Sequence, residues 1–236
     1  MTKILILGNA PLPFEKEKKL YGTNIRTWNI AEPLWQDKHE ICLVCSRIKS
    51  TYYNEKKIAR ISKTKRDNLT YYALEESIFE KGQFLQKTHD EFQPDCLVGV
   101  NTHPAFCAIR IRTNKPIWAD LNGSAMTEAQ AKAYVYSDNT YLNYSWHDEK
   151  PILEKADIFS TVSLAQKYAL IGELGITGRL NRFTFGYEFV HHIPNGIEDR
   201  EYRHQKEVMR NKLVSKKDFV VLWSGGYNTW TDVDTL

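Results

Sequence analysis

The stretch Phe189-Val190-His191-His192-Ile193-Pro194-Asn195-Gly196 decides how this chain is divided. Its first five residues alternate in the manner of a strand. Pro194 ends that strand, because proline lacks the backbone donor that a sheet ladder needs. Asn195 and Gly196 then accept the left-handed backbone of a tight turn. The stretch therefore predicts a strand that stops abruptly at a turn.

Two further elements are predicted after this turn. Residues 206–213 are typical of a helix, and the apolar run 219–223 predicts a buried strand that leads into Gly225-Gly226. A strand followed by a glycine turn usually begins an α/β domain. We therefore expect residues 1–200 to form a first domain, and residues 201–236 to be a linker helix with the opening of a second domain.

Short apolar strands alternate with helices along the rest of the chain. The run 3–7 is almost entirely apolar, as expected for a strand that is buried on both faces of a parallel sheet. Further strands are predicted at 41–45, 69–73, 96–100, 116–119 and 157–162, and helices at 24–35, 77–92, 105–111, 124–156 and 165–174. This alternation predicts an α/β fold, a Rossmann-like open and mostly parallel sheet with helices on both faces.

Composition and charge are those of an ordinary globular protein. The 236 residues are 42% hydrophobic, and 32 basic against 29 acidic side chains give a net charge of +3, too small to indicate a nucleic-acid partner. The apolar N-terminal run ends at Leu7, so we expect neither a signal peptide nor a membrane span, and a cytoplasmic location. Cys42 and Cys45 are three apart in a strand and face opposite ways, which favours reduced core cysteines over a metal or redox pair.

Ligands of such sheets bind beyond the carboxyl ends of the strands, near the switch in strand order. His103 is expected there either to contact a substrate hydroxyl or phosphate, or to be a hydrogen-bonded structural histidine. Asp120 either accepts hydrogen bonds from sugar hydroxyls, so that its loss weakens binding without unfolding, or forms an Asx turn. The loops that the rule selects are rich in Gly, Asn and Asp, and they hold Gly8, Asn9, Asn101, His103, Asp120, Asn122, Gly123, Ser163, Asn195 and Gly196.

Several classes of enzyme are disfavoured because their motifs are missing. Gly8 is followed by Asn9 and two nearby prolines, so the three-glycine fingerprint of dinucleotide-binding enzymes is absent. The sequence also lacks a phosphate loop ending in Lys-Ser/Thr and a Gly-x-Ser-x-Gly elbow. His191 and His192 are neighbours on a predicted strand and face opposite ways, so we expect no metal site there.

A basic stretch occupies residues 47–66. It contains eight Lys or Arg residues, interleaved with Tyr52, Tyr53, Ile58 and Ile61. Such a stretch is either a solvated surface or a peripheral contact with an anionic membrane, at its cytoplasmic face. Both interpretations stay open from the sequence.

Several segments together resemble the GT-B-fold glycosyltransferases, specifically the large family of retaining enzymes called family 4. The two most specific are the Ala-Asp-x5-Ser pattern at 156–163 and the Ile-Pro-Asn-Gly pattern at 193–196. Five parts of the chain carry the resemblance: Ile4-Leu5-Ile6-Leu7-Gly8; Gly22-Thr23; the fourth and fifth predicted strands, the fifth with its following loop to residue 123; residues 156–163; and residues 190–197. The resemblance covers nearly the whole chain in outline.

The resemblance implies a hexosyltransferase-like enzyme with two Rossmann-like domains, of which this chain holds the acceptor-side one. A nucleotide-diphosphate sugar would be the donor substrate, with no cofactor, and a glycan, a lipid-linked molecule or another small molecule the acceptor. By position, Gly8 with Gly22 and Thr23 matches the glycine loop near the donor phosphates. His103 matches a histidine near the transferring sugar, and Gly225 with Gly226 matches the loop that opens the second domain.

The sequence departs from the family after Gly226. Residues 227–231 read Tyr-Asn-Thr-Trp-Thr, where the resemblance leads us to expect an Arg and a Lys-Gly that contact the donor diphosphate. The family's Glu-x7-Glu segment is not present either, so we expect this polypeptide alone to be inactive or nearly so. Two alternatives remain: a Rossmann-like binding domain that transfers nothing, and a GT-B sugar-nucleotide epimerase.

Overall fold

The computed structural model describes residues 1–15, 19–48, 59–196, 201, 203–223, 225 and 231, and strands alternate with helices through most of them. The strands are β1 (Lys3–Ala10), β2 (Glu40–Arg47), β3 (Ile61–Arg66), β4 (Leu69–Leu74), β5 (Cys96–Val100), β6 (Ile117–Leu121), β7 (Ile158–Thr161) and β8 (Val190–His192). The helices are α1 (Gly22–Gln36), α2 (Glu76–Glu80), α3 (Gln83–Phe92), α4 (Thr102–Ala108), α5 (Ala125–Tyr136), α6 (Thr140–Lys155) and α7 (Leu164–Ile176).

All eight strands form one sheet in the order β3-β4-β2-β1-β5-β6-β7-β8. Every neighbouring pair is parallel except β3 with β4, which is antiparallel. The expected α/β class with a mostly parallel sheet is therefore confirmed. The chain proceeds from β1 outward to β2 and β4 on one side, and then from β5 to β8 on the other. The switch in strand order accordingly lies between β1 and β5.

The core consists of two apolar layers, one on each face of the sheet. Leu5 and Leu7 of β1 point into one layer and Ile4 and Ile6 into the other, as the period of two requires. Helix α1 covers the Ile4 side, and α2, α3, α4, α6 and α7 contribute buried side chains to the Leu5 side. Helices thus lie on both faces, as expected.

The cysteines behave as core residues. Cys42 and Cys45 lie in opposite apolar layers, which confirms that their side chains diverge. Both thiols are free, and burial raises the pKa of Cys42 to about 12 and that of Cys45 well above its usual value. A neutral thiol is a poor metal ligand and nucleophile, so this pair serves packing.

The predicted helix at 77–92 is two helices. Gly82 has a φ of 72°, in the left-handed region that glycine tolerates, and it separates α2 from α3. The predicted helix at 124–156 is also two helices, α5 and α6, which are separated by residues 137–139, where Ser137 has a φ of 52°. A single residue of positive φ is enough to redirect the chain, and periodicity does not reveal it.

The two elements predicted at 206–213 and 219–223 are absent from the structure, so both predictions are wrong. The first segment forms bends and turns with one isolated bridge between Arg210 and Val214. The second has no regular secondary structure, and Phe219 is 94% exposed and Trp223 half-exposed. An apolar run becomes a buried strand only where a neighbouring strand pairs with it, and no strand described in this structure does.

Strand β3 was not predicted, because all six of its residues are exposed and give no alternation. It belongs to the basic stretch 47–66, of which residues 49–58 lie outside the described part of the chain. Among the described helices, none has the length and apolar composition that a membrane crossing needs.

Candidate functional site

A cavity of about 170 Å³ opens where β5 and β6 end at their carboxyl ends, beside the first turn of α1. It is lined by Thr23, Asn101, Thr102, Asn122, Gly123, Ala125 and Glu128. Four of these residues were selected from the sequence: Thr23, Asn101, Asn122 and Gly123. They converge because the carboxyl ends of parallel strands meet at one edge of the sheet, and β5 adjoins the switch in strand order.

Asn101, which follows β5, is hydrogen-bonded to β1 and α1 across the switch in strand order. Its Nδ2 donates to the side-chain oxygen of Asn9 at 2.9 Å and to the backbone oxygen of Thr23 at 3.2 Å. Its own backbone has φ 72° and ψ 161°, a region that is nearly restricted to glycine and costs about 1–3 kcal/mol. An asparagine held in this conformation, only 8% exposed, is a feature that clusters at functional sites.

The loop that carries Asn122 and Gly123 is fixed from α7. The Nε2 of Gln166 donates to the backbone oxygen of Leu121 at 2.9 Å and to that of Gly123 at 2.8 Å. Gln166 is itself placed by Ser163, whose Oγ accepts from its backbone N–H. Ser163 therefore caps α7 and, through Gln166, helps to hold the loop in place.

Two residues on the cavity wall have a buried side-chain oxygen without a hydrogen-bond partner. The Oδ1 atoms of Asn101 and Asn122 are buried and accept no hydrogen bond within the described structure. The carboxylate of Glu128 is partly desolvated, and this burial raises its pKa, with the Lys132 charge opposing the shift. Buried polar atoms in proteins are nearly always paired, so these acceptors indicate a place for a donor-bearing ligand.

A second cavity of about 210 Å³ adjoins the first. It is lined by Thr102, His103, Ala125, Glu128, Ala129, Lys132, Tyr141, Ser145 and Asp148, and it shares Thr102, Ala125 and Glu128 with the first. His103 lies here rather than in the first cavity. Its side chain is 32% exposed, and its Nε2 is 3.9 Å from a Glu80 oxygen. The same nitrogen is 3.9 Å from the Cys107 Sγ, and the ring packs against Phe79 with the centroids 5.9 Å apart, so the imidazole makes only long polar contacts at the cavity wall.

Asp120 requires a correction, because the structure closes it off from any ligand. The residue is 0% exposed, and its carboxylate accepts from the Nε and Nη2 of Arg26 at 2.9 and 2.7 Å. The hydroxyl of Ser160 donates to the same carboxylate at 2.5 Å. Its oxygens are thus occupied by a buried ion pair, so the expected contact with sugar hydroxyls and the Asx turn are both replaced by a structural role.

Arg26 is the residue that the sequence analysis missed. It is only 2% exposed, and besides Asp120 it donates to the backbone oxygens of Ile193 and Pro194 at 2.9 and 3.0 Å. It therefore anchors the end of β8 to α1 and β6. A charged residue on the first two turns of a helix gives no sequence signal of burial, since its partner is 94 positions away.

The glycines near β1 also differ from the expectation. Gly8 lies inside β1 and is buried, and a Cβ there would overlap the Thr27 side chain of α1. It permits the close packing of α1 and does not form a ligand loop. Gly22 is the exposed first residue of α1, with open space around it. Asn9 does reach the site, through its bond to Asn101.

The remaining predicted residues do not line either cavity. Asn195 and Gly196 are exposed beyond β8, Gly225 is exposed, and Gly226 lies outside the described residues. Among the described residues, no group of three or more His, Cys, Asp or Glu side chains is placed to hold a metal ion. Glu128 was not selected from the sequence, although a carboxylate in the first turn of a helix after an Asn-Gly loop is a usable signal.

The fold of this chain is similar to that of solved structures. No family model matches the sequence, and no curated protein matches it. A structure of trehalose-6-phosphate synthase, from work on glycosyltransfer with retention that used bisubstrate glycomimetics, aligns with a TM-score of 0.47 and 11% identity. The alignment covers 83% of this chain and 49% of that one, so this chain spans about half the length of that structure.

Proposed function

We propose that this chain is the acceptor-side half of a GT-B glycosyltransferase, which transfers a sugar from a nucleotide-diphosphate sugar to a small hydroxyl-bearing acceptor with retention. The observation that carries the proposal is the convergence of Asn101, Asn122 and Glu128 on one cavity at the carboxyl edge of the sheet. Unpaired acceptors in a cavity match a ligand that offers hydroxyl protons. The motifs at 156–163 and 193–196 add the family resemblance.

In this proposal, catalysis needs more than the described cavities. Transfer requires stabilisation of an oxocarbenium-like sugar and of the departing diphosphate, and the lining residues supply few cationic groups for a diphosphate. We therefore assign the donor diphosphate to a second domain, to which residues 201–236 would belong. The exposed side chains of Phe219, Leu222 and Trp223 support this assignment, since apolar groups of this size are normally covered.

His103 is the residue of this half that we propose to act near the transferring sugar. It projects from the first turn of α4 and lies partly exposed in the second cavity. At that position it donates a hydrogen bond to a hydroxyl of the reacting sugar and orients it.

A binding domain without transfer is the second candidate. Both cavities are lined by residues between Thr23 and Asp148, and none of the described residues after 200 lines either of them. This candidate predicts binding of a sugar or polyol, and no release of nucleoside diphosphate from any nucleotide sugar.

We also propose a cytoplasmic location, with peripheral contact to an anionic membrane through the basic stretch. Strand β3 presents Lys63, Lys65 and Arg66 at the sheet edge, with Arg60 just before it, and all are exposed. Each cation near such a surface contributes about 1 kcal/mol. Reversing the charges of Arg60, Lys65 and Arg66 should abolish binding to vesicles containing phosphatidylserine. Unaltered binding, or none by the native protein, would reject this contact.

The role of His103 is tested by comparing the kinetics of a His103 variant with those of the native protein, each prepared from the source cells. His103→Ala should lower kcat for sugar transfer by about 100-fold, the lower end for a positioned proton-transfer or hydrogen-bonding group. Its thermal unfolding should stay near that of the native protein, because the side chain is partly exposed and its Nε2 is 3.9 Å from both Glu80 and Cys107. His204→Ala is the control, since that exposed side chain lines neither cavity. Equal losses of activity and stability would show a structural histidine instead.

A further inference from the structure

We propose that the two adjoining cavities form one subsite for an uncharged polyhydroxylated acceptor, and that Glu128 is its specificity-determining residue. This inference rests on the proposed function and narrows its acceptor to a neutral sugar or polyol. Glu128 belongs to the walls of both cavities and is the one charged residue that they share, so a ligand that fills both contacts it. Together the cavities reach the lower end of the size range of small-ligand pockets, about 300–1,000 Å³.

Two side-chain oxygens of residues that line the first cavity have no hydrogen-bond donor in the described structure. The amide nitrogen of Asn101 is already used by Asn9 and Thr23, which leaves its Oδ1 without a donor. Asn122 has the same unpaired oxygen. An unsatisfied buried acceptor costs about 1–3 kcal/mol, and a ligand hydroxyl removes that cost because it donates a proton.

Charge around the cavities disfavours an anionic ligand. Glu128 and Asp148 face the second cavity together with Lys132 and His103, so basic groups do not outnumber acidic ones there. None of the residues that line either cavity is an arginine, the side chain that usually binds phosphate in a fork. A phosphorylated acceptor would bring acceptor oxygens against unpaired acceptors and a carboxylate.

Gly123 and Glu128 are coupled by distance. A Cβ added at Gly123 would lie 2.9 Å from the Oε1 of Glu128, so glycine leaves the carboxylate room to sit against the loop. The clash involves the end of a flexible side chain rather than the backbone. An alanine there would move the carboxylate without disturbing the fold.

The test is a titration followed by NMR on the amide signals of Asn101, Asn122 and Gly123. The probes are glucose, galactose, mannose and myo-inositol, each with its monophosphate ester, together with glucosamine as a cationic probe. At least one neutral probe should shift these signals, and its ester should bind about tenfold more weakly or worse. The inference would be overturned if none of the neutral probes bound, if a phosphate ester bound more tightly than its parent sugar, or if glucosamine bound more tightly than glucose.

Two variants identify the determinant. Glu128→Gln and Gly123→Ala should each weaken the neutral probe about tenfold, with unchanged thermal unfolding. Their controls are Glu91→Gln, on an exposed face of α3, and Gly172→Ala, where an added Cβ meets nothing within 4 Å. If Glu128→Gln and the native protein bound the neutral probe with equal affinity, Glu128 would not be the specificity determinant. The titration needs no donor, so transfer onto a phosphorylated acceptor would preserve the proposed function and reject this inference alone.

Discussion

Replacing Asp120 by alanine should destabilise the protein severely, because it leaves the Arg26 guanidinium buried without its counter-ion. Asp120 accepts two hydrogen bonds from Arg26 and one from Ser160, and both charged groups are almost fully excluded from water. Removal of one partner of a buried ion pair costs about 3–5 kcal/mol. Arg26 retains its bonds to the backbone oxygens of Ile193 and Pro194, which only partly offset the loss.

Urea unfolding measures the free energy, and a thermal melt gives a second readout. With about 2–4 °C per kcal/mol for a chain of this size, a loss of 3–5 kcal/mol corresponds to a fall in Tm of about 6–20 °C. Asp37→Ala, at an exposed helix end, is the control and should stay within about 0.5 kcal/mol. The double variant Arg26→Met with Asp120→Ala should lose less than the two single losses added, since no unpaired charge remains.

A small effect would refute this reasoning. If Asp120→Ala unfolds within about 1 kcal/mol of the native protein while ligand binding falls, then Asp120 contacts the ligand and the ion pair contributes little. If the double variant shows simply additive losses, then Arg26 and Asp120 do not act as a pair.

Two further predictions concern packing and pH. Gly99→Ala should lower the free energy of unfolding in urea by about 1–3 kcal/mol, because a Cβ there overlaps the Ala105 backbone in α4. Gly22→Ala is the control, since a Cβ there meets open space, and equal stability of the two variants would contradict the packing. Burial, and next the charge of Glu173, raises the pKa of Glu149 from 4.5 to about 7. The native state alone holds this proton between those pH values, so the free energy of unfolding should fall by about 3 kcal/mol as pH rises through that window. Glu149→Gln should remove this contribution, and identical pH profiles would contradict the shift.

The sheet was predictable because its strands are buried on both faces. Runs such as 3–7 and 96–100 are almost entirely apolar, and no other arrangement hides them as well. The same reasoning failed at 219–223, where the apolar run has no pairing strand in the described structure, and at β3, which is exposed throughout. An apolar run shows that a segment can be buried, but whether it is buried depends on a neighbouring strand or helix that covers it.

The cavity was predictable in part, for a geometric reason. The rule for parallel sheets selected Asn101, Asn122 and Gly123, because their place after a strand alone puts them at the site. The rule could not separate Asp120 from them: Asp120 is the last residue but one of β6, and the burial of its carboxylate depends on Arg26. Contacts between residues so distant along the chain are fixed by the fold and leave no local pattern.

The most direct test of the proposed function is acceptor-dependent release of nucleoside diphosphate by the native protein isolated from its source cells. A panel of UDP-, GDP- and ADP-sugars would be incubated with neutral sugars and polyols, and product sugar would be followed by mass spectrometry. The account predicts that one donor and one acceptor together give both a nucleoside diphosphate and a new glycoside of retained configuration. Binding of an acceptor by the folded protein, with no diphosphate released from any donor, would contradict transfer and establish the binding domain.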